Sequence, residues 1–463
     1  MPPEQVASDP GTPGEPDPEA PAAPAVRARE RLAATVHARV EPLSRRAKEQ
    51  SERIDARFES PLHDEWVASV LGITLGVAFT VCFLTGLVDY LAQHPPTWFH
   101  LPARPVNLYR VTEGVHVVTG IATIPLLLGK LWTVWPKLFA WPPIRNVAQA
   151  LERLSLIPLV GGSLFLLITG VANIDYWYSP MPFFFPTAHF WTAWMVVGAL
   201  VIHIAAKAAT ASQAIARGSE EAVDLTPEAT EPAPVPAMAR SSEEVDLTPE
   251  ATESAPVPAM TGATRLSRRG FVATLFATAG VLVLTVAGET VAPLQRLAAL
   301  APRNPSVGPA HLPVNQSAVE AGVTTSAVDP AYRLGVSGRC ARPQDFTLAE
   351  LRALPQRDAG LPITCVEGWS AAASWRGVSM PVLLRIVGAV PGASVRVESL
   401  EDAGRLYSSS VVDGAHTSDP DTLLALELNG AVLDLDHGYP VRLIAPDRPG
   451  VLQTKWITSV VVL

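Results

Sequence analysis

One cysteine lies in a segment whose residue types suit a soft transition metal. Cys365 is the second residue of Thr364–Ser370, which has the sequence TCVEGWS. A cysteine thiolate is a soft ligand, suited to a metal that changes oxidation state and transfers an oxo group. Such a thiolate needs an electropositive, partly open setting, to which Arg376 would contribute from nearby in the sequence. The alternatives are a buried structural thiol and a disulfide with Cys340, because thiols outside the cytoplasm tend to oxidise.

Four histidines in or beside apolar segments form a second set of candidate ligands: His63, His116, His189 and His203. His189 and His203 are 14 residues apart, which places them on nearly one helical face and about 21 Å from each other. That spacing fits two stacked haems, one in each leaflet. We expect His116 to pair with His189 and His63 with His203. Bis-histidine ligation leaves no open coordination position, which suits electron transfer.

Each histidine also has a simpler interpretation. His63 and His189 are close enough to segment ends to lie at the membrane interface. His116 and His203 are deeper, and an ionisable side chain inside a membrane is costly, so it is a functional candidate by default. Glu113, three residues before His116, is an alternative candidate for a quinone site or a proton path.

Five apolar segments have the length of roughly 20 residues that crosses a bilayer. They span 66–91, 109–134, 154–174, 187–209 and 271–294. Tryptophans near the ends of the first four segments match an aromatic belt at the membrane surface. The sequence therefore predicts a multi-pass membrane protein in contact with lipid.

The loops carry charge in a pattern that predicts orientation. Lysines and arginines concentrate before the first span and in the loop at 130–153, which we expect to be cytoplasmic. The loops at 92–108 and 175–186 should then face outside, together with the C-terminal domain. Ser267–Phe271, with paired arginines before an apolar stretch, resembles a twin-arginine export signal. The alternative is ordinary positive charge on the inner side of a last helix.

Composition excludes several classes of protein. The net charge is −9 and no basic face is evident, so a nucleic-acid partner is not expected. The three cysteines include no Cys-x-x-Cys pair, which argues against a disulfide scaffold, a zinc ribbon or a cysteine-ligated iron–sulfur cluster. Residues 1–25 show no apolar periodicity and are predicted to be disordered. The acidic, Pro-rich repeat within 210–264 cannot build a core and is predicted to be a spacer.

The C-terminal motifs taken together resemble the sulfite-oxidase-type molybdopterin domain, including the periplasmic methionine-sulfoxide-reductase branch. The resemblance covers about 332–463. Besides the Cys365 segment, the matching motifs are Leu351–Pro355, Trp375–Val378, Leu426–Gly430, His437–Leu443 and Lys455–Ile457. The stretch before Lys455, Arg448–Thr454, departs from the family pattern, where a cofactor-binding lysine is expected.

The resemblance implies roles for particular residues. Cys365 would bind molybdenum together with the dithiolene of a pterin, and Lys455 would hold the phosphate tail of that cofactor. Tyr407 falls where the family places a tyrosine near the metal. A surface lysine and a packed core tyrosine are the alternatives for the last two. His437 is expected to be structural.

The four-helix segment resembles membrane cytochromes b that serve periplasmic oxidoreductases. The expected fold is an α-helical transmembrane bundle of four helices plus a fifth anchoring helix, followed by an α+β, β-rich molybdopterin domain. The expected plan is a disordered, basic cytoplasmic region over 1–60, the cytochrome-b-like domain over 61–209, the linker over 210–264, the signal and anchor over 265–295, and the molybdopterin domain over 302–463.

The function implied by the resemblance is a molybdopterin-dependent oxidoreductase at the outer face of the cytoplasmic membrane. It would exchange electrons with the quinone pool through haem b and act on a small oxo substrate, a sulfoxide or a sulfur oxyanion. The alternative is a membrane-anchored binding or scaffold module that keeps the fold without metal.

Overall fold

The computed structural model describes residues 60–138, 146–224, 267–301, 303–304, 306–405 and 407–463, together with helical residues at 35, 41–42, 44–53 and 56. The predictions for 1–25 and for the repeat lie outside the described residues. Contacts divide the chain into two units, of which 60–135 and 146–463 form the larger. In the smaller unit, the helical stretch at 44–53 carries an ion pair between Lys48 and Glu52, 3.8 Å apart.

The described part of the chain contains five helices long and apolar enough to cross a membrane. They are α1 (Glu65–Gln93), α2 (Leu108–Leu138), α3 (Val147–Ile174), α4 (Phe185–Asp224) and α5 (Arg268–Ala287). All five predicted spans are thus helical, because a segment without water must satisfy its backbone hydrogen bonds internally. The fourth helix continues beyond its predicted end at 209, into residues predicted to belong to the linker.

Polar residues cap the N-termini of α1 and α5, and an ion pair connects these two helix starts. The Asp64 carboxylate accepts hydrogen bonds from the backbone N–H groups of Trp66 and Val67, and the Ser267 hydroxyl accepts one from Gly270. Such caps satisfy N–H groups that the first turn leaves free. Arg268 Nη1 lies 3.2 Å from Asp64 Oδ2. The first arginine of the twin-arginine-like segment therefore also joins the starts of α1 and α5.

Two five-stranded sheets follow the helices. One has the order β2-β1-β10-β5-β6, and the other has β3-β4-β7-β8 with β9 also pairing with β7. The strands are β1 (Arg333–Gly338), β2 (Gln344–Thr347), β3 (Gln356–Thr364), β4 (Ser370–Ser379), β5 (Val395–Ser399), β6 (Ser409–Val412), β7 (Leu423–Leu428), β8 (Ala431–Val432), β9 (Arg442–Ile444) and β10 (Ile457–Val462). The short helices are α6 (Ala318–Ala321), α7 (Leu348–Ala353), α8 (Met380–Ile386) and α9 (Gly414–Ser418). The predicted order, apolar helices and then a β-rich domain, is confirmed.

Strands β3 and β4 form the hairpin that positions the candidate metal ligand. They pair in antiparallel register from Gln356↔Val378 to Thr364↔Ser370, so residues 365–369 form the turn. Trp375 Nε1 donates to the Leu361 carbonyl oxygen, and its ring is fully buried. Alternating buried side chains seat this hairpin in the domain core, which holds its turn in place.

That turn contacts the helical bundle directly. Asn173, near the end of α3, donates from Nδ2 to the Val366 carbonyl oxygen at 2.9 Å. Gly368 has φ +91°, and a Cβ there would lie 3.0 Å from Val117 Cγ2 on α2. Thr290, just after α5, donates from Oγ1 to the Gly368 oxygen at 2.7 Å. Residues of α2 and α3 and the segment after α5 therefore lie against the Cys365 turn.

Candidate functional site

One cavity of 660 Å³ is lined by both the helical bundle and the β-rich domain. It contains five of the eight predicted site residues: Cys365, Tyr407, Lys455, His116 and His189. A cavity of this volume is in the range of pockets that enclose small molecules and cofactors. The structure thus places the candidate metal ligand and two candidate haem ligands around one enclosed space.

Cys365 is buried at the edge of this cavity. Its Sγ accepts hydrogen bonds from Asn315 Nδ2 at 2.6 Å and from the Glu367 backbone N–H at 3.4 Å. Burial, followed by the nearby Glu367 carboxylate, raises the pKa of the Cys365 thiol well above its usual value. A metal cation reverses this effect, because a coordinating thiol is deprotonated outright. Cys340 lies elsewhere, where its backbone forms an isolated β-bridge with Ala389. The thiols of Cys340 and Cys365 are both free, so the disulfide alternative is wrong.

Two basic side chains reach the cavity without a carboxylate partner among the described residues. Lys455 Nζ donates to the carbonyl oxygens of Gln316 and Asp436, at 2.5 and 2.9 Å. Arg442, on β9, donates to the carbonyl oxygens of His437 and Gln453 at 3.0 and 3.3 Å. Burial lowers the pKa of Lys455 to about 7 and that of Arg442 to about 9. Buried cations without counter-ions are costly, so this part of the cavity is suited to an anion.

Two polar atoms of the cavity wall support the same interpretation. Arg442 Nε and Asn315 Oδ1 are buried and have no hydrogen-bond partner in the described part of the chain. Buried polar groups are normally hydrogen-bonded, so unsatisfied ones in a cavity indicate an absent polar ligand. Arg442 was not among our site predictions. An arginine inside the apolar strand sequence VRLIA was the available signal.

His116 on α2 and His189 on α4 face each other where the bundle lines the cavity. Their ring centroids are 6.2 Å apart. His116 Nδ1 donates to the Cys82 carbonyl oxygen at 2.8 Å. His189 Nδ1 lies 3.3 Å from Thr169 Oγ1, whose own proton goes to the Phe165 carbonyl oxygen. The contact with a carbonyl oxygen makes His116 Nδ1 a proton donor. If His189 Nδ1 donates to Thr169 in the same way, both Nε2 atoms would be acceptors in the neutral rings.

The distance between the two ring centroids is close to the one that two histidines sharing a metal would need. An iron bound to both Nε2 atoms, with bonds of about 2 Å, requires ring centroids about 6 Å apart. Hydrogen bonds to the opposite ring nitrogen are the usual support of metal-bound histidines. Gly86 lies beside His116, where a Cβ would come within 2.6 Å of the ring atom Cε1. The structure brings His116 and His189 together, and their pairing as haem ligands stays a prediction.

The other two histidines do not line this cavity. His63, just before α1, packs on Trp132 with ring centroids 4.4 Å apart, and its Nδ1 lies 3.0 Å from the Thr133 carbonyl oxygen. His203 lies on α4, and its Nδ1 is buried without a hydrogen-bond partner among the described residues. Ligation of a second haem by His63 and His203 stays a prediction.

Arg376 is not where we expected it. It lies on β4 opposite Asp358, six positions along the strand from Ser370, and pairs with that aspartate at 3.0 Å. A strand rises about 3.3 Å per residue, so Arg376 is about 20 Å from the Cys365 turn. The expectation that it helps the thiolate is wrong, because the extended hairpin separates residues that are close in sequence.

Aromatic residues from both domains line the cavity near Cys365. Tyr407 is partly exposed, and burial, followed by Cys365, raises the pKa of its phenol. Tyr176 and Tyr178 come from the loop between α3 and α4, and we did not predict them. Their spacing carries no sequence signal. His437 donates from Nε2 to the Pro309 carbonyl oxygen at 2.8 Å, which fits its expected structural role.

A family model matches the β-rich domain, and curated relatives match parts of the chain. Residues 321–463 match the family model of the oxidoreductase molybdopterin-binding domain. The putative protein-methionine-sulfoxide reductase subunit YedZ1 of Azospira oryzae is 38% identical over 136 residues, 29% of this chain and 50% of its own length.

Two further relatives are a sulfite oxidase and a protein-methionine-sulfoxide reductase. The mitochondrial sulfite oxidase of Drosophila melanogaster is 31% identical over 156 residues, 28% of this chain and 27% of its own. The catalytic subunit of the protein-methionine-sulfoxide reductase MsrP of Burkholderia mallei is 28% identical over 141 residues, 28% of this chain and 43% of its own. The chain thus spans half or less of these curated relatives. The C-terminal domain is a molybdopterin-binding oxidoreductase domain, and the prediction of molybdenum oxidoreductase chemistry is confirmed for that domain.

Proposed function

We propose that the whole chain is a molybdenum-dependent oxidoreductase at the outer face of the cytoplasmic membrane. It exchanges electrons with the quinone pool through haem b and acts on a small oxo substrate, a sulfoxide or a sulfur oxyanion. The observation that carries this proposal is the single cavity containing both Cys365 and the pair His116 and His189. Electrons would then pass between the two redox groups inside one chain, without diffusion of a carrier.

The residues of the cavity fit a molybdenum–pterin cofactor. Cys365 would hold the metal, and Arg442 and Lys455 would bind the anionic tail. When bound, the cofactor supplies oxo transfer and two-electron redox chemistry. Reduction of a sulfoxide consumes two electrons and two protons and releases the sulfide and water. The Cys365 turn contributes orientation, since Asn315 and the Glu367 N–H direct hydrogen bonds to the sulfur.

The bundle offers groups suited to a quinol. Asp89 and Glu113 are both buried and line the cavity beside His116. The Thr112 hydroxyl donates to Asp89 Oδ1 at 2.6 Å, and Asp89 Oδ2 has no hydrogen-bond partner among the described residues. A quinol releases two protons with its two electrons, and buried carboxylates at this depth are candidates to receive them. This extends the quinone role predicted for Glu113.

The proposed sidedness rests on loop charge and on the segment Ser267–Phe271. Twin-arginine export carries folded proteins, so the molybdenum cofactor would be inserted before the domain crosses the membrane. Replacing both Arg268 and Arg269 by Lys should leave the domain inside if export depends on the pair. Protease accessibility in spheroplasts measures the placement, and unchanged placement outside would contradict twin-arginine dependence.

The decisive experiment replaces the candidate metal ligand. Cys365→Ser should lower bound molybdenum below about a tenth of the wild-type content, while pterin is retained through Arg442 and Lys455. Cys340→Ser is the matched control, because that thiol lies outside the cavity, and it should keep full molybdenum. Elemental analysis, pterin fluorescence and sulfoxide reduction with a reduced viologen dye provide the readouts. Wild-type protein without molybdenum would instead support the scaffold module.

A further inference from the structure

The loop between α3 and α4 reaches the Cys365 site from the membrane domain. Tyr176 has φ +56°, a left-handed conformation that is uncommon for a residue with a side chain. Its hydroxyl donates to the Asn315 carbonyl oxygen at 3.3 Å, and the side chain of the same Asn315 contacts Cys365 Sγ at 2.6 Å. One residue thus separates a tyrosine of the membrane domain from the metal-binding sulfur.

Neighbouring groups fix the orientation of the two tyrosines of this loop. The Tyr176 and Tyr178 rings meet edge to face with centroids 5.1 Å apart, and the Arg303 guanidinium lies 5.0 Å from the Tyr176 centroid. The Tyr178 hydroxyl donates to Asn173 Oδ1 at 2.9 Å. Asn173 in turn donates to the Val366 carbonyl oxygen, so the loop is tied to the turn that carries Cys365.

The charges near the sulfur differ from those at the other end of the cavity. Glu367 is buried next to Cys365, and its nearest described cation, Arg303, is 3.9 Å away. The unpaired cations Lys455 and Arg442 lie where the cofactor tail is expected. A sulfur oxyanion at the metal would meet a buried carboxylate and aromatic rings. An uncharged sulfoxide would instead gain contacts between its sulfur and those rings.

We propose that Tyr176 and Tyr178 form one wall of the substrate site and select uncharged sulfoxides over sulfur oxyanions. The active site is then composite: the β-rich domain binds the cofactor, and the membrane domain determines which substrate reaches it. This inference rests on the proposed function, because it assigns a substrate class to the same molybdenum site.

The test measures binding and turnover in the full-length, molybdenum-loaded protein in lipid nanodiscs. Calorimetry of the oxidised protein gives the Kd for methyl p-tolyl sulfoxide without any electron donor. Reduced viologen gives kcat and KM for the same sulfoxide, and ferricyanide reduction measures sulfite oxidation. We expect Tyr176→Ala to weaken sulfoxide binding about tenfold and to raise KM equally, with kcat changed less than threefold. Sulfite oxidation should be slow in the wild type and no slower in the variant.

Two further variants distinguish contact of the Tyr176 ring with substrate from other roles of this loop. Trp177→Ala is the matched control, since Trp177 is adjacent in the loop but does not line the cavity. It should bind the sulfoxide as the wild type does. Tyr176→Phe keeps the ring and removes the hydrogen bond to Asn315, so it should stay within twofold of the wild-type Kd. Equal weakening of sulfoxide binding in Tyr176→Phe and Tyr176→Ala would show that Tyr176 acts through Asn315. That result would overturn the proposal that the Tyr176 ring forms a wall of the substrate site.

The outcomes also distinguish this inference from the proposed function. If the loaded wild type oxidises sulfite and does not bind the sulfoxide, the selectivity is wrong although the oxidoreductase stands. The same conclusion holds if Tyr176→Ala and Tyr178→Ala both bind the sulfoxide with the wild-type Kd. A loaded wild type that turns over neither substrate overturns the proposed function and this inference together.

Discussion

Gly86→Ala is the sharpest test of the histidine pair. A Cβ at this position would lie 2.6 Å from His116 Cε1 and 2.7 Å from Nδ1. The shortest ordinary contact is 3.4 Å, so the ring must move by about 0.8 Å. Ligand geometry in a metal site tolerates about 0.5 Å. Such a shift also disturbs the hydrogen bond from Nδ1 to the Cys82 carbonyl oxygen, and loss of that kind of support costs 10- to 100-fold in metal affinity.

Gly198→Ala on α4 is the control, because nothing lies within 4 Å of a Cβ there. Alanine in a helix interior is favoured over glycine by about 1 kcal/mol, so the control should fold at least as well as the wild type. The assay is the reduced-minus-oxidised absorption spectrum of purified protein. We expect Gly86→Ala to lose most of the b-type signal and Gly198→Ala to keep it. A full signal with an unchanged midpoint potential in Gly86→Ala would refute ligation by His116 in this geometry.

Two further predictions concern charge. Lys455 has a pKa lowered to about 7, and a bound anion should raise it, so anion binding should take up a proton above that pH. The affinity of molybdenum-free protein for pyrophosphate should then fall by up to tenfold per unit from pH 7 to pH 9, and Lys455→Met should flatten this slope in calorimetric titrations. Arg376→Ala should leave molybdenum content and sulfoxide reduction within twofold of wild type, because Arg376 pairs with Asp358 at an exposed end of the hairpin. A large loss of activity on that substitution would contradict the position assigned to it.

The amino-acid sequence was sufficient to predict the five spans and the identity of the C-terminal domain. Spans can be recognised because about 20 consecutive apolar residues without water have few alternatives to a helix. Cys365 and Lys455 could be selected as candidate cofactor ligands because their motifs are local, and the structure places both on the cavity wall. The sequence also predicted that His116 pairs with His189, and the structure brings their two rings together. Each of these inferences depends on neighbours along the chain.

Only the tertiary structure decided which residues share the cavity. Arg376 is 11 positions from Cys365 in the sequence, yet the extended hairpin separates them in space. Tyr176 is much farther away in sequence, yet packing of the β-rich domain on the bundle brings it to the residue that touches the sulfur. The isolation of Arg442 from carboxylates likewise follows from burial against distant segments. Contacts between these side chains, and the burial of their charges away from water, depend on remote parts of the chain. No local sequence pattern therefore predicts them.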